Sequence, residues 1–243
     1  MKEAPKEIPE KMLDTYTVGG RIPIKYSYRN DCGQKSQDEY SGNYTEENLN
    51  FFIEKIKNRG THGYGMTDIW MYEALKKYSI QGKSVCIVGS TCPWYEAMSI
   101  VYGASSCTVF EYADRKNFVD NIKYIKPEEI GDEKYDICIS ISSIEHDGLG
   151  RYGDPLDPNG DIRAMQEAKQ YVKEGGLMFL SVPVGSDTVF FNVHRVYGKI
   201  RLPMLLKQWK KLDAFGINKH SLTNNINNEY SSEYQPVFVL KND

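Results

Sequence analysis

No run in the 243 residues approaches the ~20 consecutive apolar residues of a membrane-spanning helix. The opening segment MKEAPKEIPEKMLD is charged and contains proline, so it does not read as a signal peptide. There are only five cysteines: Cys32, Cys86, Cys92, Cys107 and Cys138. The count is odd and no CxxC pair occurs, which argues against a disulfide framework and a zinc site. Cys86, Cys107 and Cys138 lie in apolar runs, where the thiol behaves as a small core group. Reduced thiols and a cytoplasmic location are expected. Strong charge is missing too: the formal net charge of -3 gives no electrostatic case for a nucleic-acid surface. There is no internal repeat and no long linker.

The composition present is that of an ordinary folded domain, 40% hydrophobic and 26% charged. The length fits one domain plus additions. The one excess is tyrosine, with 18 residues. Tyrosine suits polar pockets and interfaces, which is compatible with a homodimer, and it also suits half-buried positions.

Residues 1–44 are polar and turn-rich, with Gly19-Gly20 and the alternating Ile22-Pro23-Ile24. They read as an N-terminal extension with one weak hairpin. Residues 45–243 read as a single globular domain. A helix is predicted from Thr45, with Leu49, Phe52, Ile53 and Ile56 at helical spacing and Gly60 as its stop. A loop, Thr61 to Gly65, leads to a second helix with Thr67 as N-cap and Ile69, Met71, Tyr72 and Leu75 inward.

From residue 84 strands and helices alternate. Val85–Val88, Cys107–Phe110, a short stretch near Lys123–Ile125, Tyr135–Ile141 and Leu177–Val182 read as buried strands. Helices are expected over Pro93–Val101 and over Asp161–Val172, the latter stopped by Gly175-Gly176. Trp209–Phe215 and Val237–Leu240 suit a final antiparallel pair. The pattern predicts an α/β fold: a doubly wound, mostly parallel seven-stranded sheet with helices on both faces.

In such a sheet ligands bind beyond the C-terminal strand ends. The first strand is followed by Gly89-Ser90-Thr91-Cys92-Pro93-Trp94, and Glu111 ends the second strand, placed to bind ribose hydroxyls and to disfavour a 2′-phosphate. The turn has one glycine, which is poor for a pyrophosphate and acceptable for a nucleoside with an amino-acid tail. Ser90 or Thr91 suits the cap of the next helix, with Pro93 in its first turn. Tyr64, Trp94, Tyr95 and Tyr112 offer aromatic faces near this turn or serve as ordinary packing.

The fourth strand runs into Ile141-Ser142-Ser143-Ile144-Glu145-His146. The segment Val172-Lys173-Glu174-Gly175-Gly176-Leu177-Met178-Phe179-Leu180-Ser181-Val182-Pro183 follows one helix later. This pair of motifs resembles class I (Rossmann-like) S-adenosylmethionine-dependent methyltransferases. Residues 147–161 together with Phe191-Asn192-Val193-His194-Arg195-Val196-Tyr197-Gly198 resemble a narrower family of unknown function with nematode and bacterial members. The resemblance covers roughly residues 60–215. It implies S-adenosylmethionine as cofactor, with Gly89 in the cofactor turn, Glu111 on the ribose, and Ser142, Ser143 and Ile144 beside it. The sequence departs from the superfamily's GxGxG, since Thr91 and Pro93 hold the later glycine positions. Glu128 and Glu129 are candidates for an adenine-contacting acid or a solvated pair.

Methyl transfer requires an aligned acceptor and, for a hydroxyl, a base. His146 and Asp147 follow the fourth strand, and His194 lies after the fifth. They are the candidate catalytic residues, with a structural role as the alternative for each histidine. Arg151, Tyr152, Asp154, Arg195, Tyr197 and Arg201 are candidate acceptor-binding residues, and surface ion pairing is the alternative for the arginines. Asp147, Asp154, Asp157 and Asp161 suit turns and a helix cap, a divalent cation, or a grip on sugar hydroxyls. No metal is assigned to them.

The expected function is O-methylation of a small polar acceptor, such as a sugar or a nucleotide- or phosphate-linked intermediate of surface polysaccharide assembly. An NAD-dependent oxidoreductase or epimerase is the second reading, opposed by the missing second glycine and by the lack of a suitable Tyr-x-x-x-Lys pair. A non-catalytic binding protein on the same fold is the third.

Overall fold

The computed structural model describes residues 3–31, 44–112, 119, 122–224 and 234–243. Cys32 lies outside the described residues. In chain order the elements are α1 (Glu10–Tyr16), β1 (Ile24–Ser27), α2 (Glu46–Lys57), α3 (Met66–Lys77), β2 (Ser84–Val88), α4 (Trp94–Val101), β3 (Ser106–Phe110), β4 (Ile122–Ile125) and β5 (Tyr135–Ile141). They continue with α5 (Gly160–Tyr171), β6 (Val172–Ser181), β7 (Thr188–Asn192), β8 (His194–Val196), α6 (Arg201–Leu206), β9 (Lys210–Phe215) and β10 (Val237–Lys241).

Seven strands form one sheet in the order β4-β3-β2-β5-β6-β10-β9. β10 runs antiparallel to both β6 and β9, and the other pairings are parallel. Strand alternation divides the apolar runs between two faces. Val85, Ile87, Ile137, Ile139 and Ile141 pack with α2, α3 and α4. Cys86, Cys138, Met178 and Leu180 pack with Met165 and Ala168 of α5 and with Leu202 and Leu205 of α6. Both faces are buried, so these strands read as continuous apolar runs. α2 begins at Thr45, whose side chain accepts a hydrogen bond from the Asn48 N–H at 3.2 Å, and it carries Glu46 and Glu47 in its first turn and Lys55 and Lys57 in its last.

Four local expectations are corrected. Ile24 does not enter a hairpin: β1 pairs in parallel with β7, from Ile24 opposite Val189 to Ser27 opposite Asn192, in a second sheet β1-β7-β8. Gly65, and not Thr67, holds the N-cap of α3, while the Thr67 hydroxyl donates to the Gln235 carbonyl at 2.8 Å. Neither Ser90 nor Thr91 caps α4, whose N-cap is Pro93. The Gly175-Gly176 pair does not stop α5, which ends at Tyr171 and passes straight into β6. Both glycines lie in a bulge, where β6 advances from Val172 to Leu177 while β5 advances from Tyr135 to Ile137. A Cβ on Gly176 would stand 2.7 Å from the Asp136 carbonyl oxygen, so glycine is required there.

Candidate functional site

The chain builds outward from β2 to β3 and β4 on one side, and from β5 to β6 on the other. β2 and β5 are therefore neighbours whose connections diverge, and the crevice at their C-terminal ends is where this architecture holds ligands. Gly89 follows β2 with φ +69°, and its N–H donates to the Phe110 carbonyl at 3.0 Å. A Cβ there would lie 2.4 Å from Ser143 Oγ. The turn after β2 and the segment after β5 thus meet in direct contact.

Ser90 donates its N–H to Glu111 Oε2 at 3.3 Å and its hydroxyl to the Cys92 carbonyl at 2.9 Å. Two tyrosines buttress this turn. The buried Tyr44 hydroxyl lies 2.8 Å from Ser90 Oγ and 3.1 Å from Glu96 Oε1, and Tyr124 donates to the Ser90 carbonyl at 3.4 Å. Thr91 and Tyr112 are exposed, Tyr112 at 75%. Trp94 and Tyr95 turn away into the core, where both donate to Asp68 Oδ1 at 2.9 Å. Asp68 also accepts the His62 N–H at 2.6 Å, which ties the loop carrying Tyr64 to the start of α4. The Tyr64 hydroxyl reaches Ser142, and burial pushes it up to about 12. Glu129 caps its own short turn by accepting the Lys126 N–H at 2.9 Å.

β5 leads into Ser142, a non-glycine residue at φ +53°, and then a 3₁₀ turn, Ile144–His146. Ile144 is buried. Ser142 Oγ donates to Glu145 Oε1 at 2.7 Å and accepts from Gln235 Nε2 at 3.2 Å. Glu145 is 1% exposed, and desolvation raises its carboxyl to about 7. Local sequence pattern does not single out Glu145. The available signal was an acid enclosed by a buried strand end and a histidine.

His146 Nδ1 lies 2.7 Å from the Val193 carbonyl oxygen. A carbonyl only accepts, so Nδ1 carries the proton and Nε2 presents a lone pair. Nε2 is 3.7 Å from Glu145 Oε1. Burial and the neighbouring Arg151 lower His146 to about 3, so the ring is neutral at physiological pH. The His194 ring stands 6.2 Å from that of His146, and the Tyr152 ring 5.6 Å from it. Arg151 covers Tyr152 at 4.9 Å and pairs with Asp31 at 2.7 Å. The structure therefore brings His146, His194, Arg151 and Tyr152 together. Asp147, beside them, is raised by desolvation and by Asp154.

The remaining acceptor-side candidates have other neighbours. Asp154 Oδ2 accepts the N–H groups of Gly148 at 2.8 Å and Gly150 at 3.0 Å, fixing the loop. Asp157 pairs with Arg163. Arg201 pairs with the fully buried Asp161 at 2.5 Å, and Tyr197 donates to Asp161 at 3.1 Å. Arg195 is 2% exposed, and its guanidinium donates to the Asp147 carbonyl at 2.6 Å.

A family model described as "Caenorhabditis protein of unknown function, DUF268" matches residues 82–241. A search of curated proteins gave no match. Among solved structures, the chain is similar to the 1,6-didemethyltoxoflavin-N1-methyltransferase of Burkholderia thailandensis, crystallised with S-adenosylhomocysteine. The TM-score is 0.51 and identity 12%, over 80% of this chain and 86% of that one. It is also similar to the N-methyltransferase NodS of Bradyrhizobium japonicum WM9, in complex with S-adenosylhomocysteine, at TM-score 0.51 and 10% identity over 82% of this chain and 98% of that one. It spans 47% of a Streptococcus mutans chain, covering 70% of its own length, at TM-score 0.44 and 15% identity. The fold is that of the class I methyltransferases.

Proposed function

Since the chain belongs to the family of the Caenorhabditis protein of unknown function, DUF268, we propose that this family member is an S-adenosylmethionine-dependent methyltransferase acting on a hydroxyl of a small polar acceptor. The observation that carries the reading is the crevice between β2 and β5, with Gly89 at φ +69° against Ser143 and Glu111 at the end of β3. The donor set fits the cofactor. Glu111 suits the ribose hydroxyls, the turn from Gly89 to Thr91 suits the nucleoside's tail, and Tyr64, Tyr112 and the segment Ser142 to Ile144 flank it. The two didemethyltoxoflavin and NodS structures, with S-adenosylhomocysteine on the same fold, support this choice.

When bound, the cofactor supplies an activated methyl group and its own leaving group. The chain's residues hold the acceptor and take its proton. His146 Nε2, which carries the lone pair of a ring that burial keeps neutral, is the base assigned to the acceptor hydroxyl, taking its proton late, once methylation has made that oxygen acidic. His194 and Asp147 are its assigned companions, and Arg151 with Tyr152 lines the acceptor side, where a planar cation and an aromatic face suit a sugar or a phosphate-linked sugar. Arg195, Tyr197 and Arg201 support this wall through Asp161. A surface polysaccharide intermediate in the cytoplasm is the acceptor class proposed. Residues 45–243 are proposed as the methyltransferase domain and 1–44 as its extension.

The test is methyl transfer from isotopically labelled S-adenosylmethionine to a panel of sugars, sugar phosphates and nucleotide sugars. Label in one of these classes supports the reading, and transfer only to amines or to protein overturns the acceptor assignment.

A further inference from the structure

Two buried acceptor atoms near the crevice accept no hydrogen bond among the described residues: Glu145 Oε2 and Gln235 Oε1. Both side chains converge on Ser142 Oγ, which donates to Glu145 Oε1 and accepts from Gln235 Nε2. A buried carboxylate oxygen without a donor is costly, and the deficit is relieved by a ligand that brings one. The two guanidiniums nearest Glu145 do not supply it. Arg195 donates to the backbone carbonyls of Glu145, Asp147, Asp157 and Pro158. Arg151 donates to Asp31 and to the Val193 carbonyl.

The place of this oxygen narrows the ligand. Ser143 abuts Gly89 in the cofactor turn, so the Ser142–Glu145 segment borders the cofactor side of the crevice. His146, one residue on, has 15% of its side chain exposed, whereas Glu145 has 1%. On the reading above His146 faces the acceptor, and Glu145 lies one residue nearer the Ser143 contact with the cofactor turn. Resting on the S-adenosylmethionine reading above, we infer that Glu145 Oε2 receives the α-ammonium group of the cofactor's amino-acid tail, with Gln235 Oε1 as a second acceptor. A charge-assisted N–H···O bond of this kind is stronger than a neutral one.

Other charged or titratable groups face Glu145: Arg151, Arg195, His146, Asp147, Tyr64 and Tyr197. His146 is neutral near pH 7, and both tyrosines are raised. Because only the ionised carboxyl pairs with an ammonium, cofactor affinity should climb with pH through the titration of Glu145 near 7. Asp147 is raised as well, so the Glu145→Gln variant serves as the control for its contribution.

The experiment is calorimetric titration of the wild type and Glu145→Gln with two probes. S-adenosylhomocysteine carries the ammonium, and 5′-methylthioadenosine has the same nucleoside thioether without the amino-acid tail. The expected result is about a tenfold or greater loss of S-adenosylhomocysteine affinity in the variant, with 5′-methylthioadenosine unchanged. Wild-type affinity for S-adenosylhomocysteine should also increase between about pH 6 and pH 8, and the variant's should not. Equal losses for both probes, or a variant that binds S-adenosylhomocysteine as the wild type does, overturns the assignment of Glu145 alone. No binding of S-adenosylhomocysteine by a folded wild type overturns the cofactor reading beneath it. The wild-type pH series stands even if the variant does not fold, and a flat series overturns the inference.

Discussion

His146 is locked to Val193 by a 2.7 Å bond from ring Nδ1 to the backbone carbonyl, and this fixes which nitrogen keeps its lone pair. The ring cannot rotate without losing this bond, so Nε2 is presented in one direction. Replacing His146 by Ala is expected to leave S-adenosylhomocysteine affinity within about twofold while lowering turnover about 10²-fold or more. The check is a parallel calorimetric and steady-state comparison with the acceptor found in the panel. His194→Ala is expected to act in the same direction. Full activity in both variants would remove the base from this part of the site.

Gly89→Ala brings two penalties together, a positive φ and a Cβ 2.4 Å from Ser143 Oγ. The expected outcome is destabilisation of about 1–3 kcal/mol and weakened cofactor binding. Adding Ser143→Gly removes the collision but not the φ strain. Urea unfolding of the single and double variants should therefore show partial rescue.

Glu111→Ala removes the acid assigned to the ribose and the acceptor of the Ser90 N–H. Cofactor affinity is expected to fall about tenfold or more, with NAD still not bound. Titration of the variant with S-adenosylhomocysteine measures it.

Asp161 carries a different kind of weight. It is wholly buried between Arg195 and Arg201, which hold its carboxyl below the ordinary range against the opposing effect of burial. Asp161→Asn leaves both guanidiniums buried without a counter-charge, and a loss of about 3–5 kcal/mol is expected. Chemical unfolding should report this as a fall in midpoint with the slope unchanged.

Glu145 gives a pH signature of its own. Its carboxyl rises from 4.5 to about 7 on folding, so its stabilising share is complete below 4.5 and is lost as pH climbs through 7. The ligand-free Glu145→Gln variant should gain stability relative to the wild type by roughly 3 kcal/mol between about pH 4 and pH 8. Melting curves across that range decide it, and a constant difference would show that Glu145 ionises freely.

Local pattern made the main sheet legible. Val85–Val88, Cys107–Phe110 and Tyr135–Ile141 are short apolar runs closed by polar turns, and each forms the strand expected. The final pair near Phe215 and Val237 is also antiparallel, as expected. The second sheet left no such trace, because Ile24 finds its partner in Val189 and no local pattern encodes that pairing. Gly175-Gly176 carried a helix stop in local terms, yet they serve a bulge whose need arises only when β6 meets β5. Arg195 and Arg201 illustrate the same limit at the site. As isolated arginines they are candidates for an anion clamp, and only the distant Asp161 turns them inward. Glu111 and His146 stand out as candidates in the sequence because each follows a strand end, the position where this architecture holds ligands. Glu145 was hidden because its chemistry comes from Ser142, Gln235 and burial together.

The most direct test is calorimetric titration of the full chain with S-adenosylhomocysteine, with NAD in parallel. Micromolar binding of S-adenosylhomocysteine and none of NAD is the expected result. Binding of neither, or of NAD alone, would contradict a methyltransferase cofactor site at the β2–β5 crevice.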